Sequence, residues 1–128
     1  MEMLHTMLRV GDLERSIDFY CGVMGMRLLR TFDKSDDFSL AFLGYGEENE
    51  TCVLELTYNY GVDSYEMGNA YGHVAFGVQD CEQACTEVAA RGGEVIYGPA
   101  LMEGLNEMIA FIKDPDGYQI ELIEKSLS

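Results

Sequence analysis

The chain has 128 residues, and 23 acidic against 8 basic side chains leave it a formal net charge of −15. That length suits one domain with a core of its own, and 48% hydrophobic residues is too many for a disordered acidic tail. So few cations exclude nucleic acid, whose affinity comes mostly from phosphates neutralised by Lys and Arg, and disfavour an anionic membrane surface.

No run approaches the roughly 18 apolar residues of a spanning helix, and Met1 to Arg9 lack the basic and apolar regions of a signal peptide. A soluble, cytoplasmic protein is expected. In chain order, an apolar stretch containing His5 ends at Asp12, a good N-cap. Leu13, Ile17, Tyr20 and Met24 then fall on one helical face, and Gly25 is a C-terminal stop. Strands are expected over 26–32, 39–43 and 51–57. The acidic stretches Asp33-Lys34-Ser35-Asp36-Asp37 and Glu47-Glu48-Asn49-Glu50 lie between them and read as solvated hairpin tips. Residues 58–70 form a long join.

The same succession then repeats. A stretch containing His73 ends at Asp80, an N-cap with Gln83 at the capping-box position. Cys81, Ala84, Cys85 and Val88 share a helical face, and Gly92-Gly93 follow as a stop. Strands are expected over 94–97, 107–112 and 118–123, with Asp114-Pro115-Asp116-Gly117 as a turn in which Pro presets φ and Gly accepts a positive one. The four cysteines, Cys21, Cys52, Cys81 and Cys85, form no CxxC pair and read as reduced thiols.

The repetition is also one of residues. At an offset of 68, His5 meets His73, Val10 meets Val78, Asp12 meets Asp80, Glu14 meets Glu82 and Gly25 meets Gly93. Val53-Leu54-Glu55-Leu56 and Gln119-Ile120-Glu121-Leu122 share a frame at 66. The chain is thus an α+β fold of two βαβββ modules, about 1–60 and about 70–125, joined by 58–70 within a single domain spanning 1–128.

Only two histidines exist, one at the start of each half. Period 2 puts His5, Met7 and Arg9 on one strand face, Tyr71, His73 and Ala75 on the equivalent one, and Glu55 and Glu121 opposite in sense to their apolar neighbours. Taken singly, a strand Glu is usually outward and wet, and a lone His is usually a core or surface residue. Two matched His/Glu sets argue otherwise. Two imidazoles and two carboxylates form a nitrogen/oxygen set suited to a divalent transition metal, and the lack of thiolate argues against a closed structural zinc site.

The segments His5-Thr6-Met7-Leu8-Arg9-Val10-Gly11-Asp12-Leu13, Arg15-Ser16-Ile17-Asp18-Phe19-Tyr20, Leu54-Glu55-Leu56-Thr57-Tyr58-Asn59, Ala70-Tyr71-Gly72-His73 and Asp114-Pro115-Asp116-Gly117-Tyr118, running on to Ile120-Glu121-Leu122, resemble in order the blocks of the glyoxalase I (lactoylglutathione lyase) family. The resemblance covers essentially the whole chain. It implies the vicinal-oxygen-chelate fold, with sheets curving around a metal site, and a domain-swapped-type homodimer with two sites at the subunit interface. His5 and Glu55 of one chain would join His73 and Glu121 of the other around each metal ion.

The resemblance further implies isomerisation of the hemithioacetal of methylglyoxal and glutathione to S-lactoylglutathione, a detoxification that moves a proton between neighbouring carbons through a metal-stabilised ene-diolate. Glu121 is then the base, Glu55 a ligand and second proton carrier, and Arg9, Asn59 and His73 face the substrate. Arg9 and Asn59 each lie four residues beyond a ligand on the same strand face, about 13 Å along; taken alone, Arg9 is also a common kind of surface cation. The compact length resembles the short bacterial class that prefers Ni2+ or Co2+, with Zn2+ as the family's other choice.

Two stretches depart from longer relatives, which carry basic residues there. Gly68-Asn69-Ala70 is neutral, and Met102-Glu103-Gly104-Leu105-Asn106-Glu107 is acidic, which leaves room for a less anionic glutathione conjugate as the thiol. Alternatives within the fold are a metal-dependent epimerase, a thiol transferase, an extradiol dioxygenase, or a metal-free dimeric module that binds a small molecule. The four-ligand set disfavours the transferase, the dioxygenase and the binding module.

Overall fold

The computed structural model describes residues 1–125. It divides the chain into two compact units, the first Met1–Glu66 and the second beginning at Met67. In the first unit, β1 (His5–Arg9) leads through α1 (Leu13–Gly22) to β2 (Arg27–Lys34), β3 (Phe38–Gly44) and β4 (Val53–Asn59). The second repeats the order with β5 (Val74–Val78), α2 (Cys81–Ala90), β6 (Glu94–Met102), β7 (Glu107–Lys113) and β8 (Gln119–Glu124).

Each unit holds one four-stranded sheet, ordered β1-β4-β3-β2 in the first and β5-β8-β7-β6 in the second. β1 runs parallel to β4 and β5 to β8, while the remaining pairs are antiparallel. The parallel pairs need a crossover long enough to contain a helix. The helix of each unit packs against its own sheet.

Local chemistry starts the helices. Asp12 and Asp80 are extended N-caps whose side chains accept from the amides of Arg15 and Gln83 at 3.0 and 2.9 Å. The Gln83 side chain does not close a capping box; it reaches forward to Glu87 at 3.2 Å. Beyond α2 the chain turns at Gly92, with φ +90, a left-handed value that glycine takes without penalty.

α2 buries Cys81, Cys85 and Val88, three of the expected positions. α1 is rotated from expectation: it buries Ser16, Phe19 and Tyr20, while Leu13 and Ile17 are half-buried and Met24 lies past the helix end. Hydrophobicity counts alone favoured the Leu13 stripe. Ser16 is fully buried on that face, and Phe19 packs edge-on to Tyr20. Val10, Leu43, Leu56, Ile112, Ile120 and Leu122 complete the cores of the two units.

Strand bounds differ from expectation by one or two residues, except in β6. That strand continues to Met102 through a cis Gly98-Pro99 bond, with register shifts on both sides of Tyr97. Proline tolerates this at an edge strand and a bulge. A Cβ on Gly98 would stand 2.6 Å from the Ile109 carbonyl oxygen, so only glycine fits.

The acidic stretches are exposed, but the second is more than a solvated tip. Arg27 bonds Glu47 at 2.7 Å, and Arg30 grips Glu48 through two nitrogens at 2.6 and 3.0 Å. The first is fastened as well, since the Tyr60 hydroxyl bonds Asp33 and its amide donates to the Asp37 carbonyl. All four cysteines are free thiols. No helix among the described residues is long and apolar enough to cross a membrane.

Candidate metal centre

Each unit brings its histidine and glutamate together. His5 Nε2 lies 3.2 Å from Glu55 Oε1, and His73 Nε2 lies 3.1 Å from Glu121 Oε1. The carboxylates are tucked in (side chains 14% and 13% exposed), whereas the imidazoles are 38% and 41% exposed. His5 opens β1, and His73 immediately precedes β5.

The donor set fits a divalent metal. Two ligands at right angles around an ion, each about 2.1 Å from it, stand about 3 Å apart, the spacing each His/Glu pair already shows. Imidazole with carboxylate suits borderline cations such as nickel, cobalt and zinc. Among the described residues, no three His, Cys, Asp or Glu side chains gather around one point; each unit supplies one imidazole and one carboxylate.

Sheet register builds the surroundings of each pair in the same way. Across the first sheet, Met7, Glu55, Phe42 and Arg30 stand side by side on successive strands. Across the second, Ala75, Glu121, Phe111 and Tyr97 do. Phe42 packs edge-on against His5 with centroids 5.7 Å apart, and Phe111 against His73 at 5.2 Å, so each aromatic ring braces its imidazole.

These phenylalanines went unnoticed in the sequence, although a signal was there. Leu40-Ala41-Phe42-Leu43 and Ile109-Ala110-Phe111-Ile112 match at an offset of 69. Two further neighbours, Thr57 and Arg30, had no such signal. The Thr57 hydroxyl donates to Glu55 Oε2 at 2.9 Å, and the Arg30 guanidinium carbon sits 3.9 Å over the Phe42 ring.

Of the remaining candidates, Arg9 ends β1 opposite Thr57 and is exposed. Asn59 ends β4, and its amide donates to the Tyr65 hydroxyl at 3.0 Å. Beside His73 opens a cavity of about 300 Å³ whose lining includes Met67, Tyr71, Phe111 and Gln119. Tyr71 stands against Tyr118 and donates to the Gln119 carbonyl at 3.3 Å. Burial pushes its hydroxyl up to about 12.

A family model described as the Glyoxalase/Bleomycin resistance protein/Dioxygenase superfamily matches residues 2–122. The chain belongs to this superfamily. Among glyoxalase relatives, the lactoylglutathione lyase of Escherichia coli O157:H7 is 56% identical over 126 residues, 98% of this chain and 93% of that protein. A probable lactoylglutathione lyase of Synechocystis is 51% identical over 127 residues, 98% of this chain and 97% of that protein.

Solved glyoxalase structures agree. Glyoxalase I of Zea mays matches at a TM-score of 0.94 with 42% identity over 99% of this chain, which spans 46% of the maize chain. Glyoxalase I of Leishmania major, described as trypanothione-dependent, matches at 0.86 with 47% identity over 97% of this chain and 86% of its own.

Proposed function

We propose that this chain isomerises the hemithioacetal of methylglyoxal and glutathione to S-lactoylglutathione. It would do so as a cytoplasmic homodimer with one divalent metal ion in each of two sites. The observation that carries the reading is the doubled His/Glu pair, at 3.2 and 3.1 Å in matched places of the two units. Relatives 51–56% identical that carry the name lactoylglutathione lyase support the same reaction.

The two modules, about 1–60 and 70–125 joined by 58–70, act as one domain, and the site is completed across subunits. His5 and Glu55 of one chain meet His73 and Glu121 of the partner subunit. When bound, a divalent ion would neutralise charge developing on adjacent substrate oxygens; the donor set suits Ni2+, with Co2+ or Zn2+ as substitutes.

Glu121 takes the proton from the carbon bonded to sulfur and returns it to the neighbouring carbon; Glu55 serves as ligand and second proton carrier. A carboxylate that shares its lone pairs with a cation is a weak base, so Glu121 would serve as the base only while its lone pairs are not engaged by the ion. Arg9 and Asn59 are placed one strand length away, where they reach the far carboxylates of the tripeptide. Asn59 exchanges Tyr65 for substrate when it does so.

The test is an activity assay on metal-stripped protein reconstituted separately with nickel, cobalt, zinc and magnesium. Formation of S-lactoylglutathione with at least one transition metal is expected. Activity on an epimerase substrate alone would overturn the assignment, and failure to bind any divalent metal would favour the binding-module reading. A less anionic thiol conjugate is a second substrate class, favoured by the acidic stretch 102–107 and by the trypanothione dependence of the Leishmania relative. Comparing kcat/KM for the two hemithioacetals decides between them.

A further inference from the structure

The two half-sites share their ligands and bracing rings, but not what holds the carboxylate. In the first unit Glu55 accepts a hydrogen bond from Thr57 at 2.9 Å. At the place matching Thr57, the second unit has Ile123, which carries no donor. In the first unit the residue across from Phe42 is Arg30, stacked on that ring at 3.9 Å and clamped by Glu48. Across from Phe111 the second unit has Tyr97, 6.3 Å from it between centroids.

We propose that Thr57 and Arg30 are positioning residues for the metal site, holding the Glu55 carboxylate and the Phe42–His5 stack in ligand geometry, supports that the half-site of the second unit lacks. Thr57 occupies one lone pair of Oε2 and leaves Oε1 turned toward His5 Nε2. Arg30 caps the outer face of Phe42, whose edge-on contact sets the His5 ring plane. Glu48 fixes Arg30 in that place with a two-pronged bond, a geometry lysine cannot reproduce. Partners that orient metal ligands typically account for about 10- to 100-fold in metal affinity.

This inference rests on the metal reading above, and the experiment separates the two. Metal-stripped wild type, Thr57→Val, Thr57→Ser, Arg30→Lys and Arg30→Gln are titrated with nickel or zinc against a chromophoric chelator, and the thermal melt of each metal-free protein is recorded. Valine keeps the shape of threonine and removes the hydroxyl, so Thr57→Val should weaken metal binding about 10- to 100-fold with the metal-free melt little changed. Thr57→Ser should restore affinity to within about threefold of wild type. Arg30→Gln and Arg30→Lys should both weaken it, because each breaks the fork to Glu48.

Wild-type affinity in Thr57→Val, or a serine variant as weak as valine, overturns the role of the hydroxyl. A weakening matched by loss of the metal-free melt assigns Thr57 to stability alone and also overturns it. Unchanged affinity in both Arg30 variants overturns the role of the guanidinium. A wild type that binds no divalent metal instead defeats the metal reading itself.

Discussion

Glu55 and Glu121 occupy the same frame in the two halves, and the repeat singles them out together with His5 and His73; which imidazole belongs with which carboxylate came from the family resemblance. Strand alternation places a carboxylate among buried aliphatic residues on the open face, and the repeat makes accident a poor explanation for two such sets. The neighbours that give each residue its work are another matter. Thr57, Arg30 and Phe42 stand two residues along or one and two strands across from Glu55, and those relations follow from register. The base role proposed for Glu121 is tested by Glu121→Gln, which keeps the size of the side chain. With metal loading verified, kcat should fall at least about a hundredfold; near-normal initial rates would remove Glu121 as the base.

Among the elements, helix starts and tight turns were readable because they depend on residues near in sequence. Asp12 and Asp80 cap their helices as expected. Asp114, buried, accepts from the amides of Asp116 and Tyr118 at 2.9 Å each and so fixes the turn before β8. α1 turned inward a face that includes the small, fully buried Ser16, a polar residue that a search for apolar stripes passes over. β6 outran its expected end, because an edge strand absorbs Gly98-Pro99 as an irregularity.

α2 also has a consequence for pH. Burial pushes the Cys81 thiol from 9.0 up to about 11, so the folded state holds that proton more tightly than the unfolded one. The contribution is complete below pH 9 and is lost as pH rises through about 11. Urea unfolding across that window should show falling stability, and Cys81→Ala should flatten part of the slope. An unchanged slope would show that the buried thiol is not its source.

At the scale of the whole molecule, the charge of −15 bears on how substrate arrives. Part of the acid is spent locally: Glu47 and Glu48 neutralise Arg27 and Arg30, and the Arg30 guanidinium holds the Glu48 carboxyl below its usual range. The remaining excess repels an anionic hemithioacetal. Added salt screens that repulsion over about 10 Å at 0.1 M, so kcat/KM for the glutathione adduct should rise modestly with ionic strength. A steep fall, measured from low to moderate salt with metal loading held constant, would contradict this.

Composition, the internal repeat and the period of apolar residues determined the two βαβββ modules, their caps, and the four residues best suited to hold a metal. These are properties of local sequence and of matched spacing along the chain. Only the tertiary structure decided which phenylalanine braces which imidazole, that Thr57 bonds Glu55 and Arg30 stacks on Phe42 where Ile123 and Tyr97 stand in the second unit, and that Asn59 is engaged by Tyr65. Those contacts join residues on different strands or across a loop, and they exist only once register and packing are set, because a side chain's neighbours in space are chosen by the sheet and not by the order of the chain.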